Sequence, residues 1–109
     1  MSDLELTVRG IGTALESAGL STIVKFSDGL TRDLPIGVEV RAQLNVKDGR
    51  TVRAVVAQVD LARQDGTPKN SWDVFYYHSG YAEIVRQAVI AFAGKYQIPV
   101  NERHDNLYN

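Results

Sequence analysis

The chain predicts an α+β fold, an antiparallel sheet of four to five strands with an N-terminal and a C-terminal helix packed on one of its faces. Three observations carry that expectation. Leu4, Val8, Ile11 and Leu15 recur at spacings of four, three and four, which puts them on one helical face. From Ser21 the apolar period becomes two and stays near two as far as His78. Beyond it Ile84, Val85, Ala88, Val89, Phe92 and Tyr96 restore a helical spacing.

The first helix has its own end signals. Ser2 is a natural N-cap, Asp3 and Glu5 suit the positive end of the helix dipole, and Gly19 fits the position just past the last turn. Gly10 and Gly12 each weaken such a helix by about 1 kcal/mol relative to alanine, so a strand over residues 4–9 competes with it. The same glycines would let another backbone approach closely.

Next come STIVKF, the turn SDG and LTRDLP, read as a short hairpin ended by Pro35. VEVRAQLNV, the turn KDG and TVRAVVAQVDL form the strongest hairpin signal. A three-residue loop, Lys47-Asp48-Gly49 with Gly49 left-handed, sets Leu44 opposite Val52, Ala42 opposite Ala54 and Val40 opposite Val56. A two-residue loop would instead set Leu44 against Arg53, so the first register is preferred. The second arm is apolar on both faces from Val52 to Ala57 apart from Arg53, the pattern of a central strand covered on both sides. Residues 64–71 (QDGTPKNS) read as an exposed loop. WDVFYYH follows as a strand, and Ser79 or Gly80 caps a helix to about Lys95. The run AVIAFA leaves that helix little polar face, so burial on more than one side is expected. Pro99 forbids its continuation, and 99–109 reads as a loosely held C-terminal tail.

At 109 residues, 44% hydrophobic and 23% charged, the chain reads as a single globular domain over 1–109. Its net charge of −1 demands no polyanionic partner. With no cysteine, thiolate catalysis and Cys-ligated zinc are excluded. The N-terminus has no basic leader followed by an apolar run, and AVIAFA is far too short to span a bilayer, so a soluble cytoplasmic protein is expected, away from membranes. No glycine-rich phosphate loop, G-x-S-x-G elbow or His-Glu-x-x-His run is present, and neither a cofactor nor a metal is expected.

The candidate site is WDVFYYHSGY, which holds the only Trp, one of the two His and three of the five Tyr. As a strand it puts Trp72, Val74, Tyr76 and His78 on one face and Asp73, Phe75, Tyr77 and Ser79 on the other. Large rings on both faces give two readings. In one they serve a core covered on both sides. In the other, Trp72, Phe75, Tyr76, Tyr77, His78 and Tyr81 supply an exposed aromatic patch for a protein partner or for a second copy, a homodimer, pairing along a strand edge. His78 precedes a helix N-terminus, where a neutral imidazole suits a cap better than a catalytic role, and no known spacing unites it with Asp73, Ser79 and Tyr81. His104-Asp105 could join His78 at a metal, but the spacing is undiagnostic.

A second surface comes from the six bases between Arg41 and Lys69 (Arg41, Lys47, Arg50, Arg53, Arg63, Lys69), set against Asp48, Asp60 and Asp65. Arg41 and Arg53 share a face of the hairpin, where Phe75 or Tyr77 would have to interleave for single-stranded nucleic acid to bind. The alternation from Ile23 to Val59 resembles part of an OB or cold-shock barrel, though it lacks their aromatic RNA-binding signatures, and no site residue follows from the likeness. The functional expectation is a small non-catalytic protein-binding module of inhibitor, adaptor, chaperone or immunity type. Single-stranded nucleic-acid binding through Arg41 and Arg53 is the alternative.

Overall fold

A computed structural model describes residues 3–26, 35–45, 48–62 and 68–104. The chain runs α1 (Asp3–Ser17), β1 (Ser21–Phe26), β2 (Pro35–Asn45), β3 (Thr51–Ala62), β4 (Pro68–Tyr76), a 3-10 turn (Ser79–Tyr81), α2 (Ala82–Tyr96) and β5 (Val100–His104). The five strands lie in one sheet in chain order, antiparallel except that β5 pairs parallel with β4 after the α2 crossover. This is the α+β class expected, with the helices at the two ends of the sequence. The sheet is open rather than closed into a barrel.

The helix over 3–17 wins over the strand alternative because its end is locally sealed. Gly19 takes φ +87°, which lets its N–H donate to Glu16 O and the Leu20 N–H to Leu15 O, both at 3.0 Å. Leu15 and Leu20 are both buried beside that turn, so the last carbonyls are satisfied under an apolar clasp. The Ser2 cap and the side chain of Leu4 lie outside the described residues. Gly10 makes room for a side chain rather than a backbone: a Cβ there would overlap the ring edge of Phe92 on α2. We expect Gly10→Ala to lower the melting temperature despite its higher helix propensity, and Gly10→Ala/Phe92→Leu to recover most of the loss in a calorimetric scan.

One sheet face carries the core. Val38, Val40 and Ala42 of β2, Ala57, Val59 and Leu61 of β3, and Trp72, Val74 and Tyr76 of β4 are buried against Val8, Ile11 and Leu15 of α1 and Val85, Val89 and Ala93 of α2. The hairpin register is as expected at Leu44↔Val52 and Ala42↔Ala54, and Gly49 has φ +84°. It departs at Val40, which faces Ala57 and not Val56. The cause is a bulge: Arg41 faces Val55, so Val56 is an extra residue in β3. Val56 and Ala57 are consequently both buried. That explains the two-sided apolar run without a second covering layer.

Four further expectations are revised. β1 pairs with Pro35–Arg41, so the strand opposite STIVKF begins at Pro35 instead of ending there; residues 30–34 of LTRDLP lie outside the described residues. β4 begins at Pro68, inside the stretch read as a loop, and 64–67 lie outside the described residues. Residues 100–104, read as loose tail, form β5, begun by the Trp72 N–H donating to Pro99 O at 2.9 Å. The rest of that tail, 105–109, is not described. Helix α2 buries one face only. Ile84 and Ile90 stand exposed, because both helices share one side of a two-layer domain and their outer faces meet water.

Candidate functional site

Alternation along β4 divides the aromatic stretch. Trp72 and Tyr76 turn toward the helices and are 3% and 1% exposed. Phe75 and Tyr77 turn to the opposite face, which no helix of the described residues covers; both are half-buried there and their ring centroids lie 4.9 Å apart at 41°. The six aromatic candidates are therefore not one patch. Trp72 and Tyr76 belong to the core, and Phe75 and Tyr77 to the open face. β4 is also not an edge strand, since β3 and β5 flank it, so pairing of a partner strand directly on WDVFYYH is closed off.

Tyr76 extends from the core to the rim of the sheet. Its hydroxyl donates to Glu102 Oε1 of β5 at 3.5 Å, and Arg86 Nε of α2 donates to the same oxygen at 2.9 Å. The His104 ring lies 4.8 Å from the Tyr76 ring. Burial, reinforced by the negative Glu102, pushes the Tyr76 phenol well above its ordinary pKa. This cluster ties β5 to α2 and β4.

His78 is half-buried at the end of β4. Its Nδ1 accepts from the Gly80 N–H at 3.3 Å, the cap expected of a neutral imidazole at this position, and its ring lies 5.3 Å from that of Tyr81. The bulge at Val56 sets this corner, because Val56 O accepts from the N–H groups of both Tyr77 and His78. His104 sits on β5 beside Tyr76. Among the described residues no group of three or more His, Asp or Glu is placed to share a metal ion. Asp105 lies outside the described residues.

The register assembles the open face from five strands. One row runs Ile23, Glu39, Gln58, Phe75, Arg103. The next row toward the β2–β3 loop holds Arg41 opposite Val55, with Tyr77 alongside, and beyond it Gln43 lies opposite Arg53. In the other direction Asp60 lies opposite Asp73, with Asn101 outside them. Arg41 and Arg53 thus share a face, as the hairpin pattern predicts.

Most polar groups here are already engaged. Arg41 grips Glu39 through Nε at 2.9 Å and Nη2 at 2.7 Å. Tyr77 Oη donates to Gln58 Oε1 at 3.4 Å, and Gln58 Nε2 donates to Asp60 Oδ1 at 3.3 Å. Lys69 bonds Asp73, holding its carboxyl below the ordinary value, and Asn101 Nδ2 donates to the other Asp73 oxygen at 3.2 Å. Arg53 and Arg103 are exposed. A shallow depression of ≈ 390 Å³ beside Gln43, Thr51, Val52 and Arg53 marks the loop end of the hairpin. Its lining holds no general base or nucleophilic pair.

Sequence reasoning missed Arg103 and Asn101 because it left β5 in the tail. The alternation in VNERH is too short and too polar to signal a strand. Ile23, Gln58 and Asp60 were passed over because only the register shows them to share a face with Phe75.

Fold and face together define a two-layer α+β domain: a five-stranded, mostly antiparallel sheet, helices on one side, the other side presenting rings and charges. No helix of the described residues is long and apolar enough to cross a membrane. No protein-family model, curated protein or solved structure matches the chain.

Proposed function

We propose that the protein is a non-catalytic protein-binding module and that its contact surface is the sheet face around Phe75 and Tyr77, opposite the two helices. The observation that carries this reading is the tilted Phe75–Tyr77 ring pair left half-covered on a face of mixed charge. Asp60, Asp73 and the buried Glu39 stand there with Arg41, Arg53, Lys69 and Arg103, and Ile23 and Val55 supply further apolar area. Aromatic and arginine anchors in a mixed polar surround are the composition of a protein–protein contact. His78, spent on a cap, is assigned no chemistry. The cytoplasm is the proposed setting.

The test is to replace Phe75 and Tyr77 singly by alanine and compare capture of partners by the tagged chain. Both variants are expected to fold, losing about 1–2 kcal/mol because each ring is only half-buried. Both are also expected to lose association tenfold or more. Unchanged capture by both would remove the proposal.

One observation favours a second reading. The rings that single-stranded nucleic acid would stack on are on the same face as Arg41, Arg53 and Arg103. It ranks behind the first because three acids occupy that face and Arg41 is committed to Glu39. Oligonucleotide binding at low salt that weakens steeply with added salt and with Arg53→Glu would promote it.

A further inference from the structure

The open face is ordered along the strand direction. At one end lie Asp60 and Asp73 on neighbouring strands, next a row with Ile23, Glu39, Phe75 and Arg103, then Arg41, Val55 and Tyr77, and at the other end Arg53. Arg53 and Asp60 belong to the same strand, on either side of the Val56 bulge and about 20 Å apart at the usual rise per residue. We infer that this face is self-complementary and that its occupant is a second copy of the chain, stacked face to face. The relating two-fold axis lies between the sheets and across the strands near Val56. This rests on the proposed binding face and names its partner.

The geometry is that of an isologous contact. Such an axis lays β3 antiparallel over its copy, so that Arg53 of each chain meets Asp60 of the other, while the Phe75 and Tyr77 pairs meet each other at the centre. Two packed sheets keep their strands within about 30° of alignment, which preserves the correspondence. Asp60 accepts from the neutral Gln58, whereas its neighbour Asp73 already has the cation Lys69, so Asp60 is the acid whose charge is left for Arg53. Five strands at about 4.8 Å and some six residues at about 3.3 Å give a flat footprint of about 500 Å² per copy. The total of about 1,000 Å² is at the lower bound of specific interfaces, so a reversible, micromolar dimer is expected rather than an obligate one.

Sedimentation velocity of the full chain over a concentration series tests this. Wild type is expected to move from monomer to dimer, with the dimer weakened by added salt. Arg53→Asp and Asp60→Lys should each weaken it at least tenfold, because each sets like charges against one another. Mixing the two variants should restore a heterodimer, since both contacts are then complementary again. A chain that stays monomeric, or a dimer indifferent to salt and to Arg53→Asp, overturns the inference; Arg53 is exposed, so its variant folds even if the Asp60 variant does not. A photo-reactive residue at position 77 separates this inference from the reading beneath it. A monomeric chain that cross-links to a different protein in native extract overturns the second copy and keeps the binding face. A monomeric chain that cross-links to nothing removes both.

Discussion

Tyr76→Ala is expected to cost the fold about 3–5 kcal/mol, the largest effect of any single side chain in the aromatic stretch. At 1% exposure its ring is among the largest fully buried side chains, packed in the cluster that joins both helices to the sheet. Truncation removes the transfer free energy of the ring and leaves a cavity that rigid neighbours fill only in part. For a domain whose whole stability is of order 5–15 kcal/mol, such a loss leaves a large fraction unfolded near physiological temperature. Denaturant titration monitored at Trp72 measures it, because that indole is buried in the same cluster. Tyr76→Phe separates the ring from the hydroxyl. The 3.5 Å bond to Glu102 is long, and Arg86 still satisfies the carboxylate, so the change at neutral pH should stay below about 1 kcal/mol. The sign reverses in alkali. The folded phenol titrates above the unfolded one, so the neutral form that stabilises the fold is fully present below about pH 10 and its contribution is lost as pH rises beyond that. Wild type should therefore lose stability above about pH 10 more steeply than Tyr76→Phe. Equal alkaline slopes would show that the hydroxyl is hydrated in the native state.

The adjoining ring shows where sequence was informative and where it stopped. Alternation alone places Tyr76 and Tyr77 on opposite faces; it does not say which face the helices cover. That depends on β3, where the bulge at Val56 brings two consecutive apolar residues inward and breaks the strict period. The helices were legible because each carries a local signature, a 4-3-4 stripe and a Gly19 stop for α1 and a return of the helical period for α2. The central hairpin was legible because only one loop length sets apolar residues against apolar ones. β5 was not. Four of its five side chains are exposed, so its pairing rests on backbone hydrogen bonds and on contacts such as Glu102 with Arg86 that no local pattern announces. The candidate site inherits that limit. Phe75 and Tyr77 were among the residues singled out, as were Arg41 and Arg53. Trp72 and Tyr76 were wrongly grouped with them by proximity in sequence, and Arg103 and Asp60 join them only through register.

Gly37→Val should be the most damaging substitution in the sheet outside the core, and Gly37→Ala should already lower stability by about 1–3 kcal/mol. The cause is backbone crowding, not conformation, since the φ of Gly37 is not left-handed. Gly37 faces the open side of β2 opposite Asp60, and a Cβ there would stand 2.6 Å from Val59 O and 3.2 Å from Asp60 Oδ1. A side-chain tip could swing aside, but a carbonyl in an antiparallel ladder cannot move without stretching its own hydrogen bonds. Valine adds two methyl groups in the same restricted space, and its β-branched preference for strands does not offset the clash. The displaced segment, Val38↔Val59, carries two fully buried core residues, so strain at Gly37 passes directly into the core. Thermal and urea unfolding of both variants check the size of the loss. Amide exchange checks its location, with protection expected to fall first at Val38, Val59 and Asp60 while α2 stays protected. If Gly37→Ala is neutral and its ladder stays protected, β2 and β3 lie farther apart at this point than the Gly37↔Asp60 pairing allows.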